Sequence, residues 1–381
     1  EVCVMKISCL QENLAKGLST VGRAVSPRST LPVLGNVLLA VDNGRLKLSA
    51  TNLEIVITCW IGATISEAGA TSVPARTFSE LINTFPQEKV ELSLNKTTET
   101  LHVSCGRTQA NVKGINANEF PVIPAPDQEN RIRLEPAVLK RVISQVAFAA
   151  ATDDSRPSLT GVLTTFEGNR VTMAATDGFR LSVRSAHIAG YVEKPFNVII
   201  PARALNEVAR IITDDLEAVY ISMPPGRNQI IFDMDNVLLV SQLIDGKFPD
   251  YQPIIPRSHN TRTVLNTAEF SKACRTADIF ARESSNTARV SVDPGDGLSP
   301  AYATIAANSK ETGDNVAQVD ATVEGMPVEI AFNVKFMADA LSVIDTPQVA
   351  LETTNPNEPG VLKPVGDNDF VHIIMPMNFN R

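Results

Sequence analysis

The feature that most constrains the fold of this chain is an internal repeat. Ser155 to Leu181 contains a proline, a Leu-x-Gly step, two apolar strand patterns around an acidic or glycine turn, and an Ala-Thr-Asp ending. Thr30 to Glu54 follows the same order, with Leu34 directly before Gly35 and an Ala-Thr-Asn ending, and Asn286 to Ser309 follows it more weakly. Helix-opening triplets recur in step with these segments, roughly 130 residues apart, at Pro74-Ala75-Arg76, Pro201-Ala202-Arg203 and Asn333-Val334-Lys335. The spacing predicts three tandem domains of similar size.

We place these domains at residues 1–127, 128–256 and 257–381, since Phe120-Pro121 and Phe248-Pro249 close the first two units. A length of 381 residues agrees with two or three domains of ordinary size. The pattern of the first domain begins at Met5, and Glu1 to Val4 are treated as an extension without a function.

The periodicity of each unit indicates two amphipathic helices and about eight short strands. Asp42-Asn43-Gly44 and Glu167-Gly168-Asn169 supply residues that tolerate positive φ, as tight turns between strands require. Because few βαβ alternations occur, we expect an α+β fold in which antiparallel sheets carry helices on one face. Sheets that continue across domain edges would form an arc, and an arc with complementary ends closes by self-association.

The composition indicates a globular protein of a reducing compartment. The five cysteines are odd in number, widely scattered and without a Cys-x-x-Cys pair, which is typical of lone thiols in the cytosol. No run of eighteen apolar residues and no basic-then-apolar leader occurs, so we expect neither a membrane span nor secretion. A cytoplasmic location is therefore predicted.

The charge distribution is more informative than the net charge of −8, which argues against a generic nucleic-acid binder. Cations stand in the first turn of the second helix of every unit, where the helix dipole disfavours them: Arg76, Arg203 and Lys335. One interpretation is an anionic partner such as a phosphate backbone. The other is pairing with the acid four residues further on, namely Glu80, Glu207 and Asp339. Both interpretations remain open, and Arg28 adds a further cation in a loop.

Residues for catalysis or metal binding are sparse. The four histidines are isolated from one another and show no metal-ligand spacing, so each is expected to be a surface or strand residue. Gly17 to Arg23 has the glycine spacing of a phosphate loop but lacks its Lys-Ser/Thr ending and lies within a helical stripe. Asp153 and Asp154 with Asp177, and the Asp293 to Gly297 turn, lack the remaining ligands of a metal site. We predict no cofactor and no enzymatic activity.

The sequence closely resembles the bacterial DNA polymerase III β subunit family, the replicative sliding clamps. The resemblance runs from Met5 nearly to the last residue. Its motifs are Thr30-Leu31-Pro32-Val33-Leu34-Gly35-Asn36, Val73-Pro74-Ala75-Arg76, Ala175-Thr176-Asp177-Gly178 with Arg180-Leu181, Asp245-Gly246-Lys247-Phe248-Pro249-Asp250-Tyr251, and Met375-Pro376-Met377.

This resemblance implies the clamp fold, in which a head-to-tail homodimer closes six domains into a ring with helices inside and antiparallel sheets outside. It implies a processivity factor that encircles double-stranded DNA without reading its sequence. It also implies partners, namely the replicative polymerase, the clamp loader and other proteins with a clamp-binding motif.

The resemblance also assigns site residues. The peptide-binding pocket would comprise Leu159, Thr176, Gly178, Phe179, Arg180, Leu181, Pro249, Ile254, Ile373, Met375, Pro376 and Met377. DNA-facing cations would be Arg28, Arg76, Lys140, Arg203, Arg210 and Lys335. The dimer interface would place Ile279 and Phe280 against a strand containing Ala110 and Val112. Packing of Ile279 and Phe280 within their own domain is the alternative.

The sequence departs from the family pattern at Phe179, where a histidine is common, at Pro253, where a basic residue is common, and in its last residues, Asn378-Phe379-Asn380-Arg381. We expect these changes to make the pocket more apolar and to shift which peptide sequences bind best. A triplicated peptide-binding scaffold that does not enclose DNA is the alternative function. A metal-dependent hydrolase using Asp153, Asp154 and Asp177 is a third.

Overall fold

The structure is a computed structural model that describes residues 3–26, 31–127, 131–296 and 299–378. The elements up to residue 127 are β1 (Cys3–Leu10), α1 (Gln11–Val21), β2 (Asn36–Asp42), β3 (Arg45–Thr51), β4 (Ile55–Ile61), β5 (Thr64–Glu67), β6 (Ala70–Pro74), α2 (Ala75–Thr84), β7 (Lys89–Asn95), β8 (Thr100–Cys105), β9 (Thr108–Lys113) and β10 (Ile115–Asn116). The next are β11 (Arg131–Leu134), α3 (Pro136–Val146), β12 (Gly161–Thr176), β13 (Arg180–Pro201), α4 (Ala202–Ile211), β14 (Val219–Ser222), β15 (Gln229–Met234) and β16 (Val237–Gln242). The last are β17 (Thr261–Asn266), α5 (Thr267–Ala281), β18 (Thr287–Asp293), β19 (Tyr302–Ser309), β20 (Gly313–Gly325), β21 (Val328–Asn333), α6 (Val334–Leu341), β22 (Gln348–Thr353), β23 (Gly360–Pro364), β24 (Phe370–Ile374) and β25 (Pro376–Met377).

The chain divides into two compact units. Unit 1 comprises Glu1–Ala137 and Glu207–Leu243, and unit 2 comprises Val138–Asn206 and Ile244–Arg381. The predicted central domain therefore contributes strands to both units. The domain boundaries drawn from the sequence stay a prediction.

Unit 1 contains two antiparallel sheets. One has the strand order β5-β1-β7-β8-β9, and the other has the order β10-β6-β2-β3-β4-β16-β15-β14-β11. In the larger sheet β4 pairs with β16, from Cys59 opposite Val237 to Ile55 opposite Ser241. The sheet of the first repeat thus continues into strands of the central repeat, as the sequence predicts.

Unit 2 contains one connected antiparallel arrangement of eleven strands, in the order β12-β13-β24-β23-β22-β17-β20-β19-β18-β21-β25. Here β13 pairs with β24, from Arg180 opposite Ile374 to Arg184 opposite Phe370. Sheet continuity across the repeats is therefore found a second time. The core of this unit includes the buried side chains of Phe270, Phe332 and Met337.

Helix α1 shows why the sequence forms a packed helix at the place where it resembles a phosphate loop. Leu14, Leu18 and Val21 recur at helical spacing and are at most 2% exposed. Full burial of each such side chain contributes about 1.5–3 kcal/mol. A Cβ at Gly17 would lie 2.7 Å from Leu48 Cδ1, so glycine is needed for the helix to approach β3. Gly17 therefore serves packing.

The first predicted tight turn is confirmed, and the second takes another form. Asn43 and Gly44 have φ values of 48° and 73°, as a two-residue hairpin turn requires. Gly168 has a φ of 57°, but β12 runs through it without a break. Both halves of β12 pair with β13, and the register of this pairing shifts on each side of Gly168. Gly168 therefore lies at an irregularity within a long strand pair and not in a hairpin turn.

The third, weaker repeat is also confirmed as a pair of strands, since β18 and β19 pair from Arg289 opposite Ala306 to Asp293 opposite Tyr302. Helix α6 begins after Asn333, whose Oδ1 accepts a hydrogen bond of 3.1 Å from the amide of Lys335. Within the described ranges, no helix has both the length and the apolar character needed to span a membrane.

Candidate functional site

Unit 2 contains a cavity of about 660 Å³ that gathers residues from distant parts of the sequence. It is lined by Arg156, Ser158, Leu159, Thr176, Gly178, Arg180, Leu181, Lys247, Phe248, Pro249, Asp250, Ile254, Ile373 and Met375. Nine of the twelve residues that the family resemblance assigns to a pocket are in this set. The set combines an apolar floor with charged groups at the rim, which is typical of sites for small or linear ligands.

The turn between β12 and β13 forms one wall of this cavity. Thr176 Oγ1 donates to the carbonyl of Arg180 at 2.6 Å, and the amide of Gly178 donates to Thr176 Oγ1 at 3.0 Å. Asp177 Oδ1 accepts from the amides of Phe179 and Arg180, at 2.9 and 3.0 Å. These side chains occupy the polar groups of the turn, so its conformation is fixed before any ligand arrives.

Two features of this turn favour glycine at position 178. Its φ of 95° lies in the region that disfavours residues with a Cβ atom. A Cβ at this position would also lie 3.0 Å from Nη1 of Arg156, which lines the cavity. A side chain here would therefore crowd Arg156 and reduce the free space of the cavity.

Arg180 is a buried cation whose hydrogen bonds are directed into the protein. Its Nε and Nη1 donate to Asp177 Oδ2 and Asp339 Oδ2, at 3.0 and 2.8 Å, and its Nη2 donates to the carbonyl of Phe148 at 2.8 Å. The guanidinium also lies over the rings of Phe148 and Phe336, with 5.4 and 4.3 Å between its carbon and the ring centroids. Because its side chain is only 10% exposed, Arg180 shapes the wall of the cavity.

His372 lies on β24, next to the cavity residue Ile373, and is completely buried. Its Nδ1 is 2.6 Å from Ser182 Oγ, and its ring stacks on Phe148 at 5.4 Å. Burial, with a smaller contribution from the nearby charge of Arg180, lowers the pKa of His372 to about 3. His372 is thus a neutral strand residue at neutral pH.

Three of the twelve predicted pocket residues, Phe179, Pro376 and Met377, are not among the residues that line this cavity. Phe179 is 64% exposed, and its carbonyl accepts a 2.9 Å hydrogen bond from the amide of Met375. Pro376 and Met377 form β25, which pairs with β21 at Phe332 and Ala331. Pro376 and Met377 thus form strand pairs at the edge of the sheet and do not line the cavity.

Five cavity residues are not in the predicted set: Arg156, Ser158, Lys247, Phe248 and Asp250. Phe248 is buried, whereas Arg156, Lys247 and Asp250 are exposed and give the rim its charge. These residues could have been found because they are close in sequence to predicted pocket residues. Arg156 and Ser158 lie just before Leu159, and the other three flank Pro249 within one motif.

Unit 1 contains a second copy of the same turn. Thr51 Oγ1 donates to the carbonyl of Ile55 at 3.0 Å and accepts from the amide of Leu53 at 2.9 Å. Asn52 Oδ1 accepts from the amides of Glu54 and Ile55, at 3.0 and 2.8 Å. Leu53 takes the position of Gly178, with a φ of 76° and a side chain that is 51% exposed. The two turns share their hydrogen bonds and differ at this position.

The predicted DNA-facing cations are exposed where the structure describes them. Arg28 lies outside the described residues, and the other five are exposed: Arg76, Lys140, Arg203, Arg210 and Lys335. Arg76 Nε lies 2.9 Å from Glu80 Oε1, as the ion-pair interpretation predicts. Glu207 instead pairs with Arg23 and Arg210, and Asp339 pairs with Arg180. Among the described residues, the predicted pairing of a first-turn cation with the acid four residues further on is thus observed only for Arg76 and Glu80, in the first repeat.

The four predicted interface residues have different environments. Ala110 and Val112 lie on β9, the edge strand of the five-stranded sheet, with Val112 buried and Ala110 partly exposed. Ile279 is 58% exposed on α5, whereas Phe280 packs partly against the core of unit 2. Packing within its own domain therefore applies to Phe280, and Ile279 is available to a partner.

Acids that were considered for metal sites, Asp153, Asp177 and Asp293, accept hydrogen bonds within turns. Asp153 accepts hydrogen bonds from the amide and hydroxyl of Ser155, and Asp177 holds the turn before Arg180. Asp293 Oδ1 accepts from the amide of Gly295 at 2.9 Å. Within the ranges that the structure describes, no group of three or more His, Cys, Asp or Glu side chains is placed to hold a metal ion.

The fold is that of a protein of three tandem α+β domains, with a largely apolar cavity in unit 2. Models of the DNA polymerase III beta subunit match the chain throughout: the N-terminal domain at residues 5–124, the central domain at 133–250 and the C-terminal domain at 252–378. The chain belongs to the DNA polymerase III beta subunit family.

Named relatives agree with this assignment. The beta sliding clamp of Staphylococcus aureus (strain Mu50) is 32% identical over 98% of this chain and 99% of its own length. The beta sliding clamp of Bacillus subtilis (strain 168) is 30% identical with the same coverage. The crystal structure of the Bacillus subtilis sliding clamp superposes with a TM-score of 0.92 over 98% of this chain and 99% of that chain, at 30% identity. A sliding clamp of Pseudomonas aeruginosa bound to griselimycin gives a TM-score of 0.90 at 28% identity, over 99% of this chain and 100% of that chain.

Proposed function

We propose that this protein is a DNA sliding clamp, which encircles duplex DNA and tethers the replicative polymerase and other DNA enzymes to it. The observation that carries this proposal is the succession of three family domains along nearly the whole of this chain. Relatives that match the chain over almost its full length are named sliding clamps. Residues 1–127, 128–256 and 257–381 are the proposed domains of the clamp. The protein acts as a processivity factor without an active site of its own, and it works in the cytoplasm.

A closed ring requires a second copy of the chain. The edge strand β9 of unit 1 and the stretch Gly313–Asp320 of β20 in unit 2 both offer backbone groups for pairing: in the described part of the chain, β9 pairs with β8 alone, and this stretch of β20 pairs with β19 alone. Head-to-tail pairing of β9 with β20 closes after two copies. Exposed Arg107 and Lys113 at β9 complement exposed Asp314 and Asp320 on β20. Ile279 supplies an exposed apolar side chain for the same contact.

The cavity of unit 2 is the proposed site for partner peptides. Its floor is apolar, with Leu159, Leu181 and Ile373 buried and Met375 partly exposed. The unbranched side chain of methionine adapts to different apolar ligands, which suits a site that binds several partners in turn. A short linear motif with a terminal leucine or phenylalanine matches this surface. We expect such motifs in the polymerase, the clamp loader and other clamp-motif proteins.

Passage over any sequence requires contacts with the DNA backbone and none with the bases, since base readout would hold the ring at particular sites. The exposed cations Arg76, Lys140, Arg203, Arg210 and Lys335, together with Arg28, are the proposed backbone contacts. Double-stranded DNA is thus a partner that the clamp holds mainly by enclosure.

Primer extension on a primed single-stranded circle, with a cognate polymerase and clamp loader, tests this function. The protein should lengthen the products made in one binding event, and Met375→Ser should abolish that gain because it makes the pocket polar. Met326→Ser changes an exposed methionine outside the cavity lining and should behave as wild type. Products of the same length with and without the wild-type protein would contradict the proposal.

A further inference from the structure

A buried acid in unit 1 holds two arginines from different helical segments. Glu207, on α4, is buried and its side chain is 9% exposed. Its Oε2 lies 3.3 Å from Nη1 of Arg23, and its Oε1 lies 2.6 Å from Nη1 of Arg210. Arg23 belongs to the short 3₁₀ helix that follows α1, and Arg210 lies in the last turn of α4. One carboxylate thus sets the spacing of two guanidinium groups.

The side chains of the two arginines are partly exposed and therefore accessible to a ligand. Their side chains are 41% and 61% exposed, and both line a groove of about 1150 Å³ in unit 1. Glu207 itself is not part of the groove lining. Each guanidinium carries five N–H donors and meets Glu207 through a single nitrogen in this structure. Glu207 therefore leaves the other donors of each guanidinium unused, and a planar fork of donors suits the oxygens of a phosphate group.

The charge of the cluster points to an anion. Two guanidinium groups and one carboxylate leave a net charge of +1, and Lys16 and Thr20 of α1 line the same groove. The whole groove is lined by five cations and four acids, namely Lys16, Arg23, Arg45, Arg131, Arg210, Asp215, Glu217, Asp233 and Asp235. Arg23 is not one of the cations that the family resemblance assigns to DNA, so the structure adds it to that surface. A buried acid that only neutralised the cations would be expected to weaken binding of an anion. An acid that fixes two otherwise mobile side chains lowers the entropy lost on binding and strengthens it.

We propose that Arg23 and Arg210 form a two-arginine site for a phosphate of the DNA backbone, with Glu207 as the positioning residue. This inference rests on the proposed function, because the ligand is the duplex that the clamp encloses. It makes Arg23 a further DNA-contacting residue. The site reads no base, since the guanidinium groups contact the backbone alone.

Binding of the full-length protein to a short fluorescent duplex, followed by anisotropy at several salt concentrations, tests the inference. Each phosphate contact contributes close to one to the slope of log affinity against log salt. Arg23→Ala and Arg210→Ala should each weaken binding and reduce that slope by about one. Lys89→Ala removes an exposed cation that pairs with Glu91 on the five-stranded sheet, and it should change neither quantity.

Glu207→Gln separates positioning from simple electrostatics, because the two give opposite signs. It removes a negative charge, so electrostatics alone predicts tighter binding, whereas loss of positioning predicts binding severalfold weaker than wild type. Glu91→Gln removes a negative charge at a distant place and should not weaken binding. Glu207→Gln that binds as tightly as wild type or tighter, or Arg23→Ala with an unchanged affinity and slope, would overturn the proposal.

The exposed arginine variants keep the test decisive even if Glu207→Gln unfolds, which a thermal melt of each variant monitors. Failure of the proposed function has a different signature. In that case the wild-type protein itself shows no salt-dependent binding to the duplex. If the wild type binds and the arginine variants bind equally well, only the phosphate site is rejected.

Discussion

Leu53 and Gly178 occupy the same position of two copies of one turn, and both have a positive φ, of 76° and 95°. The copies share their hydrogen bonds residue by residue, through Thr51 and Asn52 in unit 1 and Thr176 and Asp177 in unit 2. A leucine in the left-handed region costs about 1–2 kcal/mol. The turn in unit 1 evidently tolerates this cost, whereas unit 2 has glycine beside the cavity.

Gly178→Leu should close the pocket without unfolding the protein, since Leu53 shows that the turn accommodates leucine. The new side chain crowds Arg156 and takes up space in the cavity that a peptide side chain would otherwise fill. Affinity for a clamp-motif peptide should therefore fall roughly tenfold or more, as measured by isothermal titration calorimetry. Leu53→Gly alters the matching turn in the other repeat and should leave peptide affinity unchanged. Undiminished binding by Gly178→Leu would refute this role of the glycine.

Arg180→Ala should destabilise unit 2, because it leaves the buried side of Asp177 and the carbonyl of Phe148 without their charged donor. Hydrogen bonds to charged groups contribute about 1.5–3 kcal/mol each, so a loss of about 2–3 kcal/mol in the free energy of unfolding is expected. Urea titration followed by circular dichroism measures it. Arg76→Ala removes the exposed pair with Glu80 and should have no measurable effect, since exposed ion pairs contribute little. Equal effects of the two substitutions would contradict this view of Arg180.

His372 should make the protein less stable in acid. Its pKa of about 3 in the folded chain lies below the value of about 6.5 for an unfolded histidine. Between these two values the unfolded chain binds more protons, so the free energy of unfolding falls as the pH drops from about 6.5 towards 3. His372→Asn removes this titration and should flatten the dependence on pH across that window. Parallel pH profiles of variant and wild type, from urea titrations at each pH, would show that His372 does not titrate as described.

Ile279→Asp should weaken the dimer, because it places a charge on an apolar side chain that the proposed interface buries. The expected result in sedimentation velocity is a shift from dimer towards monomer at micromolar concentration. Val122→Asp changes a highly exposed side chain of unit 1 that is not assigned to the interface, and it should remain dimeric. A variant at Ile279 that is as dimeric as the wild type would remove this residue from the interface.

The sequence is sufficient to predict features that repeat or that depend on local conformation. The three tandem domains follow from motif spacing, and the Asn43-Gly44 turn follows from two residues that tolerate positive φ. Residues next to the turn at Gly178 could be assigned to a pocket because a recognised motif contains them. Their peptide-binding role, like the DNA-facing and interface roles, stays a prediction.

The choice of one particular partner that is distant in sequence could not be predicted in this way. Pro376 and Met377 follow Met375 directly, yet they lie in β25 because β21 offers a free edge, and nothing local specifies that partner. Asp339 is four residues from Lys335, but it binds Arg180, which is distant in sequence. Glu207 likewise binds Arg23 from another helical segment. The choice among several cations for one acid depends on packing, which the helical spacing does not encode.

The measurement that tests the central claim most directly is retention on circular DNA. The protein is loaded onto a nicked duplex circle by a cognate clamp loader with ATP, washed at high salt, and the circle is then cut once. A sliding clamp should remain on the intact circle through the wash and leave after linearisation, because enclosure and not affinity holds it. Loss from the intact circle, despite a loader that is active on its own clamp, would contradict the ring and favour a peptide-binding scaffold.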